Sequence, residues 1–341
     1  VSQPVAAFDA VYGAFEDAAG VLGTVRRTYR LGGRTLELRF AGQALVPHLT
    51  PALEHHRIEH QEPDLTVCLW DTASSGVRMP FRPWRDDPAC VLGEVRGYHG
   101  DRIAAVFEAG ADFLHLLDRE RATAVSWVGD AGRLPWWVPS FPLRLTLHIW
   151  LRDTPSQVVH AGAVGLTEGG VLIAGRAGSG KSTTTLSCLD SELSIAGDDY
   201  VLIDVDPPFV HGLYGLAKLE PEMLDRFGAL GPMVVNGERN GAEKPMLALN
   251  VHAPGRLAGG FPIKAVLLPC VAGRRDTSLR PATPIDVLHA LAPTTVFHLK
   301  VDRERVLGKL GALARRVPGY WLDAGTELAQ IPATILRLLE T

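Results

Sequence analysis

The chain has 341 residues, 46% of them hydrophobic, enough for two ordinary cores, and its net charge of -4 without a long basic stripe excludes a general polyanion binder, so nucleic acid is not an expected partner. Cys68, Cys90, Cys188 and Cys270 are scattered without C-x-x-C spacing, which favours reduced thiols, by default in core packing, over a disulfide frame or zinc site. No apolar run approaches the roughly 20 residues of a membrane span, and the opening residues, with Asp9, Glu16 and Asp17, lack signal-peptide form, so no membrane partner and a cytoplasmic location are expected.

Arg26 to Leu31 and Arg34 to Phe40 flank Gly32-Gly33 and read as a β-hairpin. Gln43 to His56 has a helical pattern weakened by Pro47 and Pro51. Leu65 to Trp70 reads as a strand, and short candidates follow at Cys90 to Tyr98, Arg102 to Glu108, Phe113 to Asp118 and Ala122 to Val128. Turn signals at Ala109-Gly110 and Gly129-Asp130 separate them, so an antiparallel meander is expected within a β-rich α+β N-terminal domain over 1–154, a candidate substrate-binding unit. His55, His56 and His60 have metal-ligand spacing but no Cys or carboxylate frame, and a solvated helix end is the simpler reading. Leu134 to Pro142 is rich in proline and aromatics. Trp136 and Trp137 there offer a rigid substrate platform or, more commonly, a hydrophobic clamp between domains, ahead of an apolar helix at Leu143 to Leu151.

Beyond residue 155 the pattern changes. Val158 to Val164 reads as a strand, a turn follows at Thr167 to Gly170, and Val171 to Ala174 is a short buried strand. It leads into Gly175-Arg176-Ala177-Gly178-Ser179-Gly180-Lys181-Ser182-Thr183, where Gly175-x4-Gly180-Lys181-Ser182 has the spacing of a phosphate-binding P-loop. A helix expected over Thr183 to Leu189 completes the strand-loop-helix context that a chance match lacks. The glycines permit backbone conformations in which successive N–H groups point at phosphate oxygens. Lys181 is then expected at the β/γ-phosphates of ATP and the Ser182 hydroxyl on Mg2+.

After one helix comes a short strand, Leu193 to Gly197, ending in Asp198-Asp199. Phosphoryl transfer needs a carboxylate to hold Mg2+ and, for an alcohol acceptor, a second to take the hydroxyl proton. Adjacent side chains on a regular strand point to opposite faces, so both acids serve one site only if Gly197 introduces a turn or bulge. Taken alone, the pair is an exposed turn and His160 a hydrogen-bonded structural histidine. Lys218 and Lys244, each in a mostly apolar setting, are candidate phosphate or substrate contacts, with solvent-facing positions equally open. Ile263 to Val271 is a strand, Arg274-Arg275 lies on a solvated loop, Pro284 opens a helix over Ile285 to Ala292, and Arg303 to Arg315 and Ile331 to Leu339 are amphipathic helices.

The order His160-Ala-Gly-Ala-Val, Gly175 to Thr183, then Gly197-Asp198-Asp199-Tyr200-Val resembles the HPr kinase/phosphorylase family and its kinase-like relatives, whose fold is shared with ATP-dependent phosphoenolpyruvate carboxykinases. The resemblance spans about residues 155 to 300. It implies an α/β P-loop kinase domain of HPr kinase/phosphoenolpyruvate carboxykinase type over 155–341. By that resemblance His160 lies beside the reacting phosphoryl group, Ser182 binds metal, Asp198 is the candidate general base and Asp199 the candidate metal ligand, the last two open to exchange. The glycine-rich signature that the family carries downstream of the Asp pair is absent, so reverse phosphorolysis and a hexamer are not implied. The whole chain is more similar to stand-alone HPr-kinase-related proteins, some of them similar to lasso-peptide kinases that phosphorylate a serine on a ribosomally made peptide.

The leading expectation is an ATP- and Mg2+-dependent kinase acting on a hydroxyl, with serine of a peptide or protein as acceptor. A small-metabolite kinase and a nucleotide-dependent binding module without turnover are the alternatives. Nothing along the chain names the acceptor, distinguishes ATP from GTP or settles whether copies associate as a homo-oligomer.

Overall fold

Described here by a computed structural model are residues 2–80, 82, 93–238, 240–241 and 243–340. The chain divides into two compact units, Val1–Leu151 with Leu299–Asp302, and Arg152–His298 with Arg303–Thr341, where the sequence suggested a break at 154/155.

In chain order the first unit contains α1 (Gln3–Leu22), β1 (Thr24–Leu31), β2 (Arg34–Ala41), α2 (Val46–Leu49), β3 (Arg57–Ile58), β4 (Leu65–Asp71), α3 (Thr72–Ser75), β5 (Ile103–Glu108), β6 (Phe113–Asp118), β7 (Thr123–Val128) and α4 (Arg144–Trp150). β1 and β2 close over Gly32 and Gly33, whose φ angles of 54° and 78° suit the positive-φ two-residue hairpin turn. The sheet order among the described residues is β3-β1-β2-β4-β7-β6-β5. It is mixed and not the expected antiparallel meander, because β4 pairs parallel with both β2 and β7 while only β5, β6 and β7 run as a meander. Residues 42–64 give the chain the length a parallel crossover requires.

Helix α1 has no counterpart in the sequence reading. It buries Phe8, Val11, Phe15 and Ala18 against Cys68, Trp70, Leu116 and Trp127 of the sheet. Prolines confine the region Gln43 to His56 to the four-residue α2 and a 3-10 turn at Pro51–His56. Of the expected strand Cys90 to Tyr98, residues 90–92 lie outside the described residues, and 93–98 are turns with a single bridge, Glu94 to Val106.

The second unit contains β8 (Ser156–Val159), β9 (Gly162–Leu166), β10 (Gly169–Ile173), α5 (Lys181–Leu186), β11 (Ser194–Gly197), β12 (Val201–Val205), β13 (Pro208–His211), β14 (Leu216–Lys218), α6 (Pro221–Arg226), β15 (Met246–Ala248), α7 (Leu249–His252), β16 (Gly260–Val271), β17 (Ser278–Ala282), α8 (Pro284–Leu299), α9 (Arg303–Arg316), β18 (Gly319–Ala324) and α10 (Gln330–Leu339). Its main sheet runs β11-β9-β10-β16-β13-β12-β8, with β18 on β16 and β17 on β18. The pairs β10·β16 and β16·β18 are parallel. The single strand expected over Val158 to Val164 is two strands broken at His160-Ala161, β8 pairing with β12 and β9 lying between β10 and β11.

The run Val171 to Ala174 is continuously apolar because helices cover both faces of its sheet. Leu172 and Ala174 meet Val287, Leu291 and Leu310 from α8 and α9. Val171 and Ile173 meet Leu186 of α5 and Ile331 and Ile335 of α10. Among the described residues no helix is long and apolar enough to cross a membrane.

Candidate active site

The phosphate loop leaves β10 at a bond from Ala174 N to Leu267 O (2.9 Å). Gly178 (φ 75°) and Gly180 (φ 100°) hold conformations that strain any residue with a Cβ. Helix α5 stops at Leu186, short of the expected Leu189; a run of three threonines gives it little intrinsic propensity, and it tightens into bonds from Cys188 N to Thr185 O and from Leu189 N to Leu186 O. An anion placed here would meet the N–H groups of the loop and Lys181 more than a helix dipole. Arg176, Ala177 and Gly178 form the exposed tip of the loop, and Ser179, Ser182 and Thr183 are half-buried.

Lys181 is buried and donates from Nζ to Gly175 O (2.8 Å) and Arg176 O (3.2 Å) of its own loop. Burial lowers its pKa, the charges of Asp199 and Asp198 act in the other direction, and Lys244 adds to the lowering. Both acids and a second lysine thus lie within electrostatic reach of the loop lysine.

The acids reach this position through a bulge. The register of β11 on β9 shifts between Ile195 and Gly197, and the chain then bends through Asp198-Asp199. A Cβ on Gly197 would stand 2.8 Å from Val201 Cγ1 and 3.0 Å from Tyr200 O, so glycine permits the bend. Lys218, at the end of β14, then engages both acids: its backbone N–H donates to Asp198 Oδ2 (3.1 Å) and its Nζ pairs with Asp199 Oδ2 (2.7 Å).

The two carboxylates are not equivalent. Asp198 is 2% exposed, and its Oδ1 has no hydrogen-bond partner. Burial and then the charge of Asp199 push its pKa up to about 7, against the Lys218 N–H and the Ser182 hydroxyl, which lies close enough to favour the charged form. Asp199 also loses solvation, but the Lys218 ammonium and the His160 ring outweigh that loss and hold it well below the usual carboxylate range. His160 donates from Nε2 to Asp199 Oδ1 at 2.9 Å.

His160 owes its placement to the break between β8 and β9. Its backbone N–H donates to Thr295 Oγ1 (3.2 Å), and its ring centroid lies 5.1 Å from Tyr200 and 4.8 Å from His298, which are themselves joined by a 2.7 Å hydrogen bond. Thr295 and His298 come from α8, and no local motif marks them. Gly162 brings β9 close to the helix: a Cβ there would stand 2.4 Å from Thr185 Oγ1 and 3.2 Å from Asp198 O.

The oxygens present fit a magnesium ion. Asp198 Oδ1 is a buried oxygen without a hydrogen-bond partner, the Ser182 hydroxyl acts on the same carboxyl, and both side chains are hard oxygen donors. Among the described residues no group of three or more His, Cys, Asp or Glu side chains is arranged to hold a metal ion.

The other candidates make no direct contact with the acids among the hydrogen bonds and ion pairs of the described residues. Lys244 forms a half-exposed ion pair with Glu220. Trp137 stacks on Phe141 at 5.7 Å, with the Arg144 guanidinium over both rings, so it is committed to packing inside the first unit. His55 is exposed, its ring 3.9 Å from that of His56 with the planes tilted by 42°, and His60 lies 3.5 Å from Glu37.

A scan against protein-family models and a search of curated proteins find no match. Among solved structures, the HPr(Ser) kinase/phosphatase from Coxiella burnetii is similar at 12% identity, covering 54% of this chain and 96% of that one with a TM-score of 0.30, a distance at which the likeness decides neither fold nor function.

Proposed function

We propose that the chain is an ATP- and Mg2+-dependent phosphotransferase of the cytoplasm that moves the γ-phosphoryl group to a hydroxyl, the acceptor being serine of a peptide or protein. The observation that carries this reading is the convergence of Lys181 and Ser182 of the loop with two inequivalent acids that share Lys218. Loop N–H groups take the phosphate oxygens, and Lys181 exchanges the carbonyls of Gly175 and Arg176 for the β/γ-phosphates. A magnesium ion held by Asp198 and Ser182 would offset the charge of the phosphates.

Of the two assignments left open for the acids, the geometry supports the exchanged one. Asp198, a buried carboxyl with one unpartnered oxygen and the Ser182 hydroxyl acting on it, would hold the metal; Asp199, oriented by His160, receives the acceptor proton once the Lys218 ammonium turns to the incoming phosphates and no longer holds its pKa down. The acceptor oxygen bonds to the γ-phosphorus, the bond to the β–γ bridging oxygen breaks, ADP leaves, and the hydroxyl proton passes to Asp199. His160 and Thr295 act on Asp199 as positioning residues. The choice of serine rests on the sequence resemblance alone.

Incubation with γ-labelled ATP, Mg2+ and fractionated cell extract tests the reading. Label is expected as phosphoserine in a polypeptide fraction and is lost in Lys181→Ala. Label confined to low-mass compounds would instead favour a metabolite kinase, and equal labelling by Lys181→Ala would remove the phosphate loop from the reaction.

A further inference from the structure

A cleft of about 550 Å³ adjoins the phosphate loop on the side of β10 away from Asp198. Its walls are the loop itself from Ala174 to Ser179, the end of β16 from Leu268 to Val271, Trp321 of β18, and Asp286, His289 and Ala290 of α8. The acids and Lys218 sit on the β9–β11 side, so a triphosphate in the loop has its terminal phosphate at one end and this cleft at the other. In open α/β sheets ligands lie outside the carboxyl ends of the parallel strands, and β10, β16 and β18 are parallel and end here.

The edge of β16 carries a readable pattern. Val266 N donates to Pro318 O, and Ala272 N to Ala324 O, so the main-chain groups of its even-numbered residues face β18. Leu267 O accepts from Ala174 N, so the odd-numbered ones face β10. The β10 ladder ends at Ile173–Leu267, yet β16 runs on to Val271. Beyond that point the Pro269 carbonyl and the Val271 N–H lie on the strand edge beside the cleft, without a ladder partner among the described residues. The groups of the intervening Cys270 face β18, so the two stand next to each other on this edge.

An acceptor followed two residues later by a donor matches adenine, whose 6-amino group donates beside the N1 acceptor. Guanine presents the opposite order, an O6 acceptor beside an N1–H donor. Trp321, held under the Arg280 guanidinium at 4.8 Å, and Ala290 give the base apolar contact area. Asp286, with Oδ2 occupied by Thr283, is one helical turn from His289 and offers an acceptor to ribose hydroxyls.

We propose that this cleft holds the nucleoside of the bound triphosphate and that the Pro269 carbonyl and Val271 N–H on the free edge of β16 select adenine over guanine. This rests on the phosphate-loop reading above and adds to it where the base is held and which main-chain groups would read it.

Equilibrium binding to the full chain with Mg2+ tests it, using ATP, GTP, purine riboside triphosphate (which lacks the 6-amino group) and inorganic tripolyphosphate. ATP is expected to bind about ten-fold or more tightly than GTP, with purine riboside triphosphate also weaker than ATP. Ala290→Trp, which fills the cleft, should bring ATP down to the affinity of tripolyphosphate and leave tripolyphosphate itself unaffected. Equal affinity for ATP, GTP and tripolyphosphate in the wild type, all lost in Lys181→Ala, would overturn the cleft assignment while the phosphate loop stands. Binding of ATP that survives Lys181→Ala undiminished, or no binding of any of the four, would overturn the loop reading and the cleft with it.

Discussion

Asp198 and Asp199 are neighbours in sequence whose pKa values move in opposite directions. Burial beside a fixed negative charge makes the first easy to protonate; an ammonium and an imidazole keep the second ionised. The residue types and their spacing make the loop and the acid pair legible in the sequence. The double role of Lys218 is not, because it depends on how β14 is placed against the bend after β11. The same logic of burial governs His115 in the first unit, whose Nδ1 meets Thr146 Oγ1 (2.9 Å) and Ser126 Oγ (3.2 Å). Burial, and then the charge of Arg144, lowers its pKa from 6.5 to about 3. Between those values the unfolded chain binds more protons than the folded one, so stability contributed by neutral His115 is lost as pH falls from 6.5 toward 3. The melting temperature of His115→Gln should therefore drop less than that of the wild type on going from about pH 7.5 to about pH 4.5. An equal drop in both proteins would assign the acid sensitivity to other groups.

Elements were legible where the pattern is local. The Gly32-Gly33 hairpin, β10 and α10 stand close to where periodicity and turn residues put them. The parallel pairing of β4 and the split of β8 from β9 were not, since register between distant strands leaves no local mark, and His160-Ala161 carries no turn signal. Helix α1 was within reach: its buried residues at 8, 11, 15 and 18 follow helical spacing, although Ser2 supplies no side-chain cap. The packing of β9 on α5 can be tested directly. Gly162→Ala forces the two apart by its contact with Thr185 Oγ1, and overpacking of this kind costs about 1–3 kcal/mol. Lower melting temperature and weaker Mg-ATP binding are expected, with partial recovery in Gly162→Ala/Thr185→Ala. An unaltered Gly162→Ala protein would show that the close approach is not needed.

Across the whole molecule, the groups assigned to phosphate, metal, acceptor and base all belong to the second unit. They come from strands and loops far apart in sequence: the loop after β10, the bend after β11, the end of β14, the break before β9, the edge of β16 and the face of α8. A sheet covered by helices on both faces fixes these ends relative to one another and sets the two adjacent acids in different surroundings. Mg-ATP binding and phosphoryl transfer, measured side by side in Asp198→Asn and Asp199→Asn, test that division most directly. Asp198→Asn is predicted to lose the Mg2+ dependence of ATP binding, whereas Asp199→Asn binds Mg-ATP like the wild type and transfers phosphate about 100-fold or more slowly. Transfer at the wild-type rate by Asp199→Asn, or Mg2+-dependent binding unchanged in Asp198→Asn, would contradict it.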